Sequence, residues 1–151
     1  MTTMEIERKF KVSAIPTLDS CIYRLLEQGY LSTDPVVRVR REDSRFYLTY
    51  KGQGLLAREE YNLPLTEEAY RHLLQKADGI IIRKRRYLLP YRNHTIELDI
   101  FEKPYEGLVI AEVEFPTEEE AISFQPPSWF GEEVTYDSRY HNSALSQGLS
   151  P

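Results

Sequence analysis

The chain has 151 residues, 41% hydrophobic and 28% charged, with a formal net charge of −5. That length suits a single domain over residues 1–151, and the acidic balance argues against a general binder of nucleic acid or anionic membrane. No apolar run approaches the ~20 residues of a membrane span, the first ten residues are too charged for a signal peptide, and the lone Cys21 excludes an internal disulfide, so the expected location is the cytoplasm.

Period-two alternation dominates the chain and predicts strands over 4–12, 23–32, 36–42, 45–52, 56–63, 80–91, 94–101 and 107–115. Turn signals such as Glu42-Asp43-Ser44 and Arg92-Asn93 bound them. One helix is predicted over 66–77, capped by Thr66, with Glu67 and Glu68 in its first turn and an apolar stripe of Ala69, Tyr70, Leu73, Leu74 and Ala77. The C-terminal third reads differently. Gln125-Pro126-Pro127-Ser128-Trp129 breaks any element, Asp137 or Ser138 caps a short helix running to about Gln147, and Gly148-Leu149-Ser150-Pro151 is expected to fray.

Side chains on a strand alternate between two faces, so each strand has one polar row. The first strand gives Glu5, Glu7 and Lys9, the third Arg38 and Arg40, and the fourth Thr49 and Lys51. The fifth gives Arg58, Glu60 and Asn62, the sixth Lys84 and Arg86, the seventh Glu97 and Asp99, and the eighth Glu112 and Glu114. Acids gather on strands one, seven and eight, and bases on three, four and six. Isolated surface pairs contribute only ~0–1 kcal/mol each, which is a poor reason for such sorting. Sorting makes sense if the rows converge on an enclosed space, as in a small antiparallel barrel with a charged interior. A sandwich with charged outer faces fits the alternation equally well, because periodicity does not say which face is inside.

The order of the motifs bears on that choice. Glu5-x-Glu7-x-Lys9, Gln28-Gly29-Tyr30-Leu31, Arg38-x-Arg40, Thr49-x-Lys51, Arg58-x-Glu60, Lys84-x-Arg86, Glu97-x-Asp99-x-Phe101 and Glu112-x-Glu114 occur in order, and Val134-Thr135 with Arg139-Tyr140-x-Asn142 follow near the end. In this the chain resembles the CYTH family of triphosphate tunnel metalloenzymes. The resemblance implies a mainly β fold, an eight-stranded antiparallel β-barrel forming a charged tunnel and flanked by a few helices. It also implies a small-molecule triphosphate substrate and a divalent metal. Glu102-Lys103-Pro104-Tyr105-Glu106 is a departure that lengthens the last strand connection, with consequences expected at a tunnel mouth.

For such a site, Lys9, Arg38, Arg40, Lys51, Lys84 and Arg86 are the expected substrate-binding cations, the arginines gripping phosphate oxygens bidentately. Glu5, Glu7, Glu112 and Glu114 are the expected metal ligands, an all-oxygen set that selects Mg²⁺ or Mn²⁺, with Glu97 and Asp99 completing or buttressing it. Arg58 and Glu60 are expected to pair with each other. Lys9 is expected to act on the transferring phosphoryl group, and Tyr30 beside it to serve as general base. His72, His94 and His141 show no zinc spacing and are read as incidental. The expected function is metal-dependent hydrolysis of inorganic triphosphate, with weaker action on nucleoside triphosphates as a secondary expectation. A class IV-type adenylate cyclase, a thiamine triphosphatase and a non-catalytic polyphosphate-binding module are the alternatives, and the sequence leaves the oligomeric state open.

Overall fold

The alternating rows fold into strands joined by tight turns. The computed structural model describes residues 3–148 and 151; Leu149 and Ser150, in the tail expected to fray, lie outside the described residues. In chain order the elements are β1 (Thr3–Val12), β2 (Ile22–Thr33), β3 (Val36–Glu42), β4 (Arg45–Lys51), β5 (Ala57–Pro64), α1 (Glu67–Leu74), β6 (Asp78–Tyr91), β7 (His94–Phe101) and β8 (Val109–Glu114). After them come α2 (Glu118–Ser123), β9 (Phe130–Glu133), a 3-10 turn (Ser138–Tyr140) and α3 (Asn142–Ser146). At two of the tight turns Asp43 and Arg92 each take a φ of 53°, the left-handed geometry that two-residue hairpin loops favour.

All the pairings are antiparallel, in the order β5-β4-β3-β2-β6-β7-β8-β1, and β1 also pairs with β5. The second pairing closes the barrel. In register, Glu5 lies opposite Arg58 on β5, while Glu7 and Lys9 lie opposite Glu114 and Glu112 on β8. β1 and β3 to β8 turn the charged rows inward, so the barrel expectation holds and the sandwich does not.

The main apolar core therefore lies outside the barrel wall. Outward residues of β1, β6, β7 and β8, among them Phe10, Leu98 and Val113, are covered by Ala121 and Phe124 from the α2 segment and by Phe130 of β9. Each large apolar side chain fully buried here contributes about 1.5–3 kcal/mol relative to exposure. Arg8, an outlier on this apolar face, clips the cover in place. It donates to Glu133 at 2.7 and 2.8 Å and to the Ala121 carbonyl at 2.8 Å.

On the other side α1 packs across β2, β3 and β4. Thr66 caps it, accepting from the Ala69 amide at 3.1 Å, and the Tyr70 hydroxyl donates to the Glu27 carboxylate at 2.8 Å. Gly29 permits this approach, since a Cβ there would lie 2.7 Å from the Cβ of Ala77. The helix ends at Leu74 rather than 77.

Two elements were not expected. At six and four residues, α2 and β9 are too short for a periodic pattern, and β9 pairs with the end of β1 outside the barrel (Phe10 opposite Glu133). A signal for α2 was nonetheless present: Thr117 accepts from the Glu120 amide at 3.1 Å, and acids fill the first turn.

Candidate active site in the barrel lumen

The charged rows enclose a cavity of about 280 Å³ inside the barrel. Six basic side chains (Lys9, Arg38, Arg40, Lys51, Arg58 and Arg86) and seven glutamates border it. The glutamates are Glu5, Glu7, Glu42, Glu60, Glu97, Glu112 and Glu114. With that balance the basic wall attracts a polyanion strongly only once part of the acidic wall is neutralised.

The acidic wall stands on β1 and β8. Carboxylate oxygens of Glu5, Glu7 and Glu114 all lie within 4.8 Å of one another. Burial raises Glu7 well above the usual carboxylate range, and neighbouring Glu112 and Glu5 push the same way. Glu114 stands at the exposed end of β8, yet crowding that desolvates its carboxyl, with Glu97 and Glu5 nearby, pushes it up to about 7. Burial opposes ionisation of Glu5 too, but the Lys51 ammonium, 2.8 Å away, outweighs it and holds Glu5 at about 2. Crowded carboxyls of this kind lack a positive charge, and an oxygen-ligated divalent cation fits that need.

Glu112 is placed differently from the rest of the expected metal set. It faces Lys9 at 3.6 Å and Arg86 at 3.4 Å. Despite burial, Lys9, Arg86 and Lys84 hold it well below the usual range.

The basic wall rises from β3, β4 and β6. Arg38 is buried on β3, and its Nε has no hydrogen-bond partner. An orphaned buried donor facing a cavity is costly unless a ligand meets it. Arg40 donates to Gln28 at 2.7 Å, and burial with Arg38 and Arg86 nearby lowers its pKa to about 10. Lys51 bridges Glu5 and Glu60. Arg86 forks onto Asp99 at 2.8 and 2.9 Å and reaches Glu97 at 3.2 Å. The second oxygen of Glu97, Oε1, is buried without a partner, and burial raises the pKa of that carboxyl.

Other expected residues occupy less direct places. Lys84 is fully buried beneath the cavity, with its ammonium 2.6 Å from Asp99 and 3.0 Å from Asn142 Oδ1. Burial, with Arg86 close by, lowers its pKa to about 8. Arg58 and Glu60 form no ion pair with each other among the described residues. Arg58 leans toward Glu5 at 3.9 Å and Glu60 toward Lys51 at 3.5 Å, because both lie on one face of one strand and their opposites face them from the neighbouring strands. Tyr30 borders the cavity, with Gln28 Nε2 3.4 Å from its hydroxyl, and no hydrogen bond joins it to Lys9 among the described residues.

His141 lies at the lumen, a position that its spacing does not signal. It borders the cavity together with Asn142 and Ser143, while His72 is exposed and His94 packs edge-on against Phe115 and Phe124. Burial, then Lys9, Arg58 and Lys51, lowers His141 to about 4, so its imidazole is neutral at pH 7. Nothing in residue spacing marks it. Its place depends on the path of the closing segment, of which Arg139-Tyr140-x-Asn142 was the available signal.

Among the described residues no helix is long and apolar enough to cross a membrane. Residues 3–147 match the family model described as the CYTH domain. The chain is 40% identical over 151 residues to an inorganic triphosphatase of Nitrosomonas europaea, covering 96% of this chain and 98% of the relative. It is 42% identical over 148 residues to an inorganic triphosphatase of Acetivibrio thermocellus, covering 93% and 92%. A crystal structure of an inorganic triphosphatase superposes with a TM-score of 0.72 at 35% identity, covering 97% of each chain.

Proposed function

Because the chain belongs to the CYTH domain family, we propose that it is an inorganic triphosphatase, a single catalytic unit that hydrolyses tripolyphosphate to pyrophosphate and orthophosphate. One observation carries the reading: a basic wall containing the orphaned Arg38 faces a crowded, under-neutralised acidic wall across one enclosed space. A polyphosphate and a divalent cation complete both walls at once.

In this reading Arg38, Arg40 and Arg86 grip non-bridging oxygens, and Lys51 adds a point charge. Lys84 supports the site from below, through Asp99 and Asn142. Lys9 places its ammonium at the transferring phosphoryl group. Glu5, Glu7 and Glu114 hold the cation, with Glu112 anchoring Lys9 and Arg86 beside it, and the oxygen-only donor set favours Mg²⁺ or Mn²⁺. When bound, the ion supplies Lewis-acid charge at phosphoryl oxygens and lowers the pKa of water. The protein's remaining task is alignment of water, terminal phosphorus and leaving pyrophosphate in line. Tyr30 is the proposed acceptor of the water proton.

The deciding measurement is phosphorus NMR of the products from tripolyphosphate, ATP and thiamine triphosphate, compared side by side with Mg²⁺ or Mn²⁺. Tripolyphosphate is expected to turn over fastest, with ATP giving ADP and phosphate more slowly. Cyclic AMP and pyrophosphate as the main products from ATP would overturn the assignment to a hydrolase. A further prediction concerns the base: Tyr30→Phe should lower kcat while leaving KM for tripolyphosphate near the wild-type value. An unchanged kcat would remove Tyr30 from proton transfer.

A further inference from the structure

We propose that His141, Asn142 and Ser143 form an end wall that donates hydrogen bonds to the terminal phosphoryl group of a linear phosphate chain, so that only a free chain end can be seated. The inference rests on the polyphosphate reading of the cavity and specifies how the substrate enters it.

First, the lumen is stopped at one end. Ile82, Phe101 and Ile110 lie in the same alternating rows as Lys84, Asp99 and Glu112, and they meet Val134, Tyr140 and Leu145 in one buried apolar cluster. The segment carrying Tyr140 and Leu145 is fastened around that end. Gln147 donates to Thr33 at 2.9 Å, and Tyr105, from the lengthened last connection, donates to the Leu145 carbonyl at 2.5 Å. Lys9 donates to the Tyr140 carbonyl at 3.3 Å. A phosphate chain cannot thread past this cluster.

Second, the cavity side of the stopper presents hydrogen-bond donors. An ammonium can only donate, so the Asn142 atom facing Lys84 must be its carbonyl oxygen, which leaves the amide nitrogen as a donor. Lys84 is itself fixed by Asp99, so Asn142 is held in one orientation. His141 and Ser143 border the same cavity, and neither side chain makes a hydrogen bond among the described residues. A neutral imidazole always keeps one N–H to offer.

Third, the chemistry matches a chain end. A terminal phosphoryl group presents three strong acceptor oxygens, whereas an internal one has given an oxygen to each neighbour. A wall of several neutral donors therefore rewards the end over the middle, and a site built to hydrogen-bond a group discriminates strongly against ligands lacking it.

Asn142→Asp tests this without removing the support, because an aspartate still accepts from Lys84 while replacing the donor with a carboxylate. The probe is bis-imidotriphosphate, whose bridges resist hydrolysis, titrated calorimetrically in Mg²⁺. Asn142→Asp is expected to weaken binding roughly 10-fold or more with Tm unchanged. The His141→Ala/Ser143→Ala double variant is expected to raise KM for tripolyphosphate more than it lowers kcat. A dinucleoside tetraphosphate, which has no free terminal phosphoryl, should fail to compete. Unchanged affinity in Asn142→Asp, or competition by the dinucleotide as tight as that of the probe, would overturn the end wall. Wild-type protein that binds the probe but does not hydrolyse tripolyphosphate would overturn the hydrolase reading alone, and absence of wild-type binding would overturn both.

Discussion

Glu7→Gln is expected to abolish turnover of tripolyphosphate while leaving the protein as stable as before, or more so. Glu7 is half-buried among Glu5, Glu112 and Glu114, and partial burial with like charges already disfavours its ionised form. A neutral amide of the same shape relieves that repulsion, so the native fold loses nothing. The proposed cation site loses a charged ligand in the same change. A fall in kcat of roughly 10²–10³-fold or more is expected, in the range seen when one preorganised electrostatic contact is removed. Excess EDTA should silence the wild type in the same way, and added Mg²⁺ or Mn²⁺ should restore it. Activity assays paired with thermal melts check the prediction. Full activity in chelator or in the variant would remove this triad from catalysis, and a large drop in Tm would show that Glu7 serves the fold instead.

Asp99→Asn has the opposite signature, a large loss of stability. Asp99 is fully buried and holds Arg86 bidentately and Lys84 at 2.6 Å. Burial opposes its charge, but Arg86 and Lys84 more than compensate and lower its pKa. An amide leaves two buried cations short of a counter-charge, and breaking a buried pair in this way costs about 3–5 kcal/mol. For a chain of this size Tm should fall by about 6–20 °C. The pH dependence follows from the sign of the shift. With its pKa lower in the folded than in the unfolded state, Asp99 contributes fully above the unfolded value of ~3.9 and loses that contribution as pH falls through the lower folded one. The wild type should lose this part of its stability below about pH 4, and the variant should lack that dependence. A variant melting with the wild type would mean that the two cations find other partners.

These contrasts show how far residue patterns carry. Strand positions were legible because alternation is a local property, and the family motifs then fixed the charged rows as inward. Glu5, Glu7 and Glu114 converge as expected because strand pairing alone brings β1 against β8. Roles set by depth were not legible. Lys84 and Arg86 share a row, yet Lys84 sits below the cavity and Arg86 beside it. The position of His141 at the lumen was not legible either, because only the closing segment's path, fixed by tertiary packing of Tyr140 and Leu145, brings it there. The exterior cover was missed for a related reason: β9 answers to Phe10 and Arg8 on β1, more than a hundred residues away.

The closure of the barrel has a consequence for how the protein is made. Strand β1 is synthesised first, but its partners are β5, β8 and β9. Its first half can pair once β5 is available, but its second half waits for β8 and β9, and contacts of such long sequence separation slow the search for the native state. The acidic triad draws two members from β1 and one from β8, so the proposed metal site is complete only as the barrel shuts. Completion of the proposed site and closure of the barrel are then one event: the basic wall can form on β3, β4 and β6 beforehand, but the two walls face each other only in the closed barrel.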